Sequence, residues 1–284
     1  MANGSRRRRM PRSIMMVVAG WLLGGADNAD LHLSGDLMQG GLVRGQVAPE
    51  SLVWLDGRSL RVTADGWFVF GLGRDAPASA ELLIRGPSGE ERRHVLQIAA
   101  RAYQIQRIDG LPPRKVTPSE ADLAKIGTDA ALVDATKRRD TDTNGFLEQM
   151  AWPAIGAITG VYGSQRILNG EPRAPHRGVD IAAPRGRPVG AMASGVVSLA
   201  EANMYFTGGT VMLDHGHGLQ SIYAHLDEVR VTVGQRLRQG QTLGRLGATG
   251  RATGPHLHWG VYWFEQAVDP ALLVGAMPDG GSRP

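Results

Sequence analysis

The sequence predicts a mostly β protein. It has a small N-terminal β-sandwich-like domain, a helical linker and a C-terminal antiparallel β-sheet domain with an open groove. Three observations carry this. The apolar runs are short, at strand length rather than helix length. Turn pairs such as Asp56-Gly57, Asp65-Gly66 and Gly208-Gly209 separate them, in a chain holding 39 glycines. One stretch, near residue 117, carries a helix-start signal.

Taken in order, residues 1–29 have the layout of a secretory signal. Arg6 to Arg9 and Arg12 form a positive start, residues 14–23 are an apolar run, and Gly24-Gly25-Ala26 supplies small residues for cleavage. The run is shorter than the ~20 residues a membrane span needs. No later segment reaches that length, so no integral membrane segment is expected once the signal is removed. The chain has no cysteine, which excludes disulfides and an anchor through a lipidated thiol. Its net charge of +4 suits an anionic polymer. No stripe of Lys/Arg interleaved with aromatics is present, so nucleic acid is not expected as a partner.

Residues 30–100 read as the small β domain. Apolar segments at 52–55, 60–63, 67–70, 80–84 and 94–98 alternate with turns, the spacing of a small antiparallel sandwich. His94 stands alone in its strand, and the domain reads as a binding or positioning module. Residues 101–150 form the linker, with a helix over 117–138. Thr117 is the expected N-cap, Pro118 the first helical residue and Glu120 the third. Leu123, Ile126, Ala130 and Val133 keep a helical period. Asp140 to Gly145 matches the first half of a calcium loop, but Ala151 stands where the bidentate Glu is required, so no calcium site is expected.

Residues 151–284 return to β, with strands expected at 196–199, 210–213, 220–223, 229–233 and 259–262. Three stretches there carry chemistry: His176-Arg177-Gly178-Val179-Asp180, Tyr223-Ala224-His225-Leu226 and Gly254-Pro255-His256-Leu257-His258. Residues two apart on a strand share a face, so His256 and His258 look into one cleft. Imidazole and carboxylate are the ligands that hold a catalytic zinc with one position open to water. His215-Gly216-His217-Gly218 reads instead as a turn. By chemistry alone, the ligands come from His176, Asp180, His215, His217, His225, His256 and His258.

The order His-x-x-x-Asp, Tyr-x-His-Leu, His-x-His resembles the lysostaphin-type (LytM-type) zinc metalloendopeptidases, which cut peptide cross-bridges of peptidoglycan. Val161-Tyr162-Gly163, Ile181 to Gly186 and Gly247-Ala248-Thr249-Gly250 match the flanking text. The resemblance covers roughly residues 152–270. It implies Zn2+ held by His176, Asp180 and His258, with His225 and His256 beside the zinc-bound water as base and oxyanion partner, in an order it leaves open. It brings in Asn169 as a ligand of a latent form, while Arg177 and Tyr205 are further candidates for substrate contact.

The resulting expectation is a periplasmic or secreted zinc endopeptidase that hydrolyses peptidoglycan cross-links, with cell-wall or division-complex proteins as further partners. Two alternatives stand beside it. One is a non-catalytic or latent regulator of other murein hydrolases. The other is a zinc peptidase for Gly-rich protein substrates.

Overall fold

The computed structural model describes residues 31–108, 119–168 and 170–278. The secretory signal of 1–29, Thr117, Pro118 and Asn169 lie outside the described residues.

Seven strands open the described chain: β1 (His32–Gly35), β2 (Leu42–Gln46), β3 (Leu52–Leu55), β4 (Arg58–Leu60), β5 (Trp67–Gly71), β6 (Ser79–Arg85) and β7 (Glu91–Gln97). They form two antiparallel sheets, ordered β1-β2-β5 and β4-β3-β6-β7. The β3–β4 hairpin turns at Asp56-Gly57, both at positive φ (46° and 80°). That is the two-residue turn whose twist matches paired strands. Strand β6 alternates buried and exposed residues, whereas β5 is buried on both faces. Phe68, Phe70 and Leu82 are fully buried, with the two Phe rings stacked 6.3 Å apart. Each such burial stabilises by about 1.5–3 kcal/mol. His94 is half-buried and faces Leu82 across the β6–β7 ladder, as a structural residue.

After β8 (Ile105–Ile108) comes α1 (Glu120–Lys137). Ser119 is the N-cap of the described helix: its hydroxyl accepts from the Asp122 amide, and the Asp122 carboxylate accepts from the Ser119 amide, each at 3.1 Å. Ser119-x-x-Asp122 thus closes a reciprocal capping box. Along α1, Val133 packs against Leu199, Met204, Met212, Ile222 and Tyr262, so the helix lies on the large sheet described next.

The remaining strands are β9 (Ala157–Gly160), β10 (Gln165–Leu168), β11 (Glu171–Pro172), β12 (Val179–Ala182), β13 (Pro188–Gly190), β14 (Gly195–Met204), β15 (Gly208–Gly216), β16 (Leu219–Val229), β17 (Arg236–Leu237), β18 (Thr242–Leu246), β19 (His256–Trp263) and β20 (Gln266–Val268). The main sheet runs β17-β14-β15-β16-β19-β12-β9. β18 pairs with β16 and β13, and β20 pairs with β19. Every pairing in it is antiparallel. β10 pairs with β11 and, in parallel, with β8. The strand expected at 229–233 is not one. β16 ends at Val229, Val233 is exposed, and Gly234 turns the chain at φ 88°.

The N-terminal sheets and the large sheet share one apolar core, which joins Val43, Phe68 and Phe70 to Val261, Trp263 and Val268. Polar ties reinforce the junction. Arg44 donates to the carbonyls of Phe146 (2.6 Å) and Glu148 (2.7 Å), and Arg101 pairs with the buried Asp269 at 2.9 Å. Gly71 is required there, since a Cβ would lie 2.7 Å from Trp263 Cβ.

Candidate metal centre

Strand β19 is the axis of the site. His256 and His258 point to one face while Leu257 and Trp259 are buried on the other, as the two-residue period demands. On one side β12 places Asp180 opposite His258 and Ala182 opposite His256. On the other, β16 places Ala224 opposite His258. His176 enters from the segment just before β12. Backbone ladders therefore bring together the three motifs, although the first and last lie some 80 residues apart.

Three donor atoms converge. His176 Nε2 lies 3.1 Å from Asp180 Oδ1 and 3.1 Å from His258 Nδ1, and His258 Nδ1 lies 2.9 Å from Asp180 Oδ1. Tetrahedral ligands about 2.0–2.1 Å from zinc would be about 3.3 Å apart. The set matches that spacing closely. Among the described residues this is the one group of three or more potential ligands that meets at a point.

The protonation pattern follows from what each ring touches. His176 Nδ1 lies 3.1 Å from the Val161 carbonyl, His225 Nδ1 2.8 Å from that of Thr249, and His256 Nδ1 2.8 Å from that of Gly254. A carbonyl only accepts, so in each ring Nδ1 carries a proton and Nε2 is the nitrogen left to face other partners. His258 instead directs Nδ1 at the cluster. Two imidazole nitrogens and a carboxylate oxygen held this close need either shared protons or a cation between them, and the second is the chemistry of a metal ligand set.

Electrostatics agree. Burial opposes charging of His176, but the hydrogen bond and charge of Asp180 outweigh it and raise its pKa. Burial likewise opposes ionisation of Asp180. The hydrogen bonds of His176 and His258 more than offset that, and its carboxyl is held well below the usual range. Asp180 is an anion here. Burial pushes His225 down to about 4, against the hydrogen bond to Thr249 and with help from the neighbouring His256 and His258.

His225 reaches the site by a backbone irregularity. It adjoins Ala224, so a regular strand would turn its side chain to the opposite face from His258. Instead His225 has φ 63°, and the ladders beside it shift register between Gly209 and Val211 and between Leu226 and Glu228. This bulge aims the ring at His256, with centroids 4.6 Å apart. A left-handed His is strained by about 1–3 kcal/mol. The His225 amide, bonded to the Thr207 carbonyl at 2.7 Å, helps hold it.

Two glycines make room, and neither was singled out by sequence reasoning. A Cβ at Gly160 would stand 2.3 Å from Asp180 Oδ2. One at Gly178 would stand 2.4 Å from the Trp259 carbonyl oxygen and 3.0 Å from His258 Cε1. Gly178 sits inside the first motif, which was its only signal. Thr249 and Val161, whose carbonyls orient His225 and His176, sit in the flanking text. Tyr205 stacks edge-on with Phe206, and its amide bonds to Asp129 of α1 at 2.7 Å.

His215 and His217 stay outside the cluster. His215 is buried between the Ser194 carbonyl (2.8 Å) and the Ser221 hydroxyl (2.7 Å). His217 bonds the Arg61 carbonyl at 2.9 Å and packs on Phe146. In the aborted calcium loop, Asp140 pairs with Arg61 at 2.8 Å.

Residues 174–270 match the model of Peptidase family M23. They are an M23 peptidase domain. The lysostaphin-type family expected from the motifs is thereby borne out. The M23 domain is similar to peptidoglycan DD-endopeptidase ShyC of Vibrio cholerae, 46% identical over 84 residues, 30% of this chain and 19% of that protein. It is also similar to DD-carboxypeptidase/endopeptidase Mpg of Neisseria meningitidis, 38% identical over 104 residues, 37% of this chain and 24% of that protein. The matches thus span about a fifth to a quarter of these curated relatives. A peptidase M23 structure from Pseudomonas aeruginosa superposes more widely: 29% identity, TM-score 0.65, 85% of this chain and 96% of that one. That likeness reaches beyond the M23 domain into the N-terminal sheets.

Proposed function

We propose that this chain is a zinc-dependent endopeptidase that hydrolyses peptide cross-links of peptidoglycan, acting in the periplasm or outside the cell. One observation carries the reading. Inside an M23 domain, His176 Nε2, Asp180 Oδ1 and His258 Nδ1 converge within 3.1 Å, and two more imidazoles stand beside them. The relatives' names, peptidoglycan DD-endopeptidase for ShyC and DD-carboxypeptidase/endopeptidase for Mpg, support the substrate class.

In this reading His176, Asp180 and His258 hold the metal. When bound, zinc supplies Lewis acidity for the scissile carbonyl and makes water a nucleophile near neutral pH. The protein's own residues do the rest. His225 and His256 donate Nδ1–H to the Thr249 and Gly254 carbonyls, which turns Nε2 of each ring away from the backbone, and burial lowers the pKa of His225. One takes the proton of the attacking water and the other, once protonated, stabilises the developing oxyanion or passes a proton to the leaving amine. Asp180, anionic and fixed by two histidines, keeps the ligand set charged and oriented.

The test is release of new amino groups from purified sacculi, with and without a chelator, beside His258→Ala. Chelator-sensitive release that the variant lacks is the expected result. A zinc-loaded protein that releases nothing overturns the reading in favour of a regulator of other hydrolases. Release from a Gly-rich protein but not from sacculi would redirect it to protein substrates.

A further inference from the structure

A cleft of about 570 Å³ lies where the N-terminal sheets meet the M23 domain. One wall comes from the N-terminal strands and their loops, including Asp56, Arg58 and Arg74 to Ala76. The other comes from Pro175, His176, Arg177 and the β19–β20 hairpin at Trp263 to Ala267. His176 thus belongs both to the metal cluster and to this cleft. Whatever fills the cleft adjoins the proposed reaction centre.

The charges in the cleft are mostly paired or stacked, with one exception. Arg74 donates to the Gly163 carbonyl (2.9 Å) and to Asp75 (2.7 Å). Arg58 lies flat on Phe264, 3.7 Å from the ring centroid, with Glu265 at 4.0 Å. Asp56 accepts the Glu81 amide at 2.7 Å. Arg177 is exposed, and among the described residues it makes no hydrogen bond or ion pair. Nearby, Lys137 sits with its ammonium 4.4 Å above Tyr262 and forms an ion pair with Asp134 at 3.4 Å. The Lys137 pKa is lowered first by burial and also by the charge of Arg177, which marks the two cations as neighbours. The charged side chains lining the cleft balance, Arg58, Arg74 and Arg177 against Asp56, Asp75 and Glu265, and of the three guanidiniums that of Arg177 is the one without a partner among the described residues.

We propose that this cleft is a subsite for a short peptide, whose carboxylate Arg177 receives. The N-terminal sheets then take part in the site by supplying the opposite wall. A guanidinium offers two parallel N–H donors to a carboxylate, the geometry that makes such pairs specific. The proposal rests on the endopeptidase reading for its substrate class, since wall peptides are short and end in a free carboxylate. Its own test reads binding and needs no turnover.

The probe is a wall tetrapeptide ending in D-alanine, prepared as the free acid and as the C-terminal amide. Both are titrated calorimetrically into wild-type protein and into Arg177→Ala, Arg177→Lys, Ala76→Phe and His258→Ala. The acid is expected to bind wild type about 10- to 100-fold tighter than the amide. That preference vanishes in Arg177→Ala and returns in part in Arg177→Lys. Ala76→Phe, which fills the cleft from the far wall, weakens both peptides alike. Arg177 is exposed, so its variants should keep the wild-type melting temperature. Equal binding of acid and amide to wild type overturns the proposal, as does no binding of either. A preference that survives Arg177→Ala but is lost in His258→Ala also overturns it, by locating the carboxylate at the metal cluster. Hydrolysis of sacculi by the wild-type protein is a separate readout, so failure of the subsite and failure of the endopeptidase reading are told apart.

Discussion

Asp180 and His258 are direct cross-strand partners in the β12–β19 ladder, and Asp180 Oδ1 lies 2.9 Å from His258 Nδ1. The register of one antiparallel pair therefore sets the distance between two proposed ligands. A slip of one residue would turn one of them to the opposite face.

The first prediction concerns those ligands. Asp180→Asn removes the negative charge while keeping the shape, and His258→Ala removes a donor. Both variants should fold, lose bound zinc by atomic absorption after gel filtration, and lose sacculus hydrolysis together. Retention of stoichiometric zinc by either would show that the residue is not a ligand.

A second prediction separates the other imidazoles. His225→Ala and His256→Ala should keep zinc at wild-type stoichiometry, yet lower kcat by about 10²- to 10⁴-fold, the range for a general acid or base. Zinc loss in either variant would move that residue into the ligand set.

The third follows from space rather than chemistry. Gly160→Ala places a Cβ where Asp180 Oδ2 now lies, 2.3 Å away, so the carboxylate must move. Zinc affinity, measured by competition with a chromogenic chelator, should fall about 10- to 100-fold, as when the support of a ligand is disturbed. An unchanged affinity would mean the β9 backbone yields instead.

Stability should depend on His215 and His217. Burial lowers the pKa of both below the ordinary value of 6.5. As pH falls below 6.5, the unfolded chain takes up protons that the folded chain refuses. Their contribution is therefore complete above 6.5 and is lost as pH falls from there toward the lowered values. Calorimetry from pH 8 to 5 should show a falling Tm. His215→Asn should melt lower at pH 8 but with a shallower slope. Parallel slopes would remove His215 from the account.

The junction can be tested through Arg101. Arg101→Met leaves Asp269 buried, with its carboxylate bonded, among the described residues, only to the Ala271 amide at 3.0 Å. Stability in a urea titration should fall by about 1–3 kcal/mol, the range for stranding a buried polar partner. The loss should appear as one cooperative transition if the shared core unfolds as a unit.

Much of the fold is legible in the sequence because short-range rules govern it. The β3–β4 and β5 strands follow from Asp-Gly turns and apolar runs, and His256 and His258 share a face because strand period is two. The described helix carries its own start signal, since Ser119-x-x-Asp122 closes a capping box at its N-terminus, while Thr117 and Pro118 lie outside the described residues. No strand forms over 229–233 because Val231 and Val233 are apolar without being paired, and periodicity does not report pairing.

By itself the sequence determined the β class, the five motif residues and the family they resemble. Each is a matter of residue type and spacing along the chain. Only the tertiary structure decided how His225 reaches the cluster, through a positive φ and a paired register shift. It also decided that Gly160 must lack a side chain, and that the N-terminal sheets share a core and a cleft with the M23 domain. These depend on contacts between segments tens to hundreds of residues apart, and nothing in local spacing encodes which distant backbone or side chain will stand opposite.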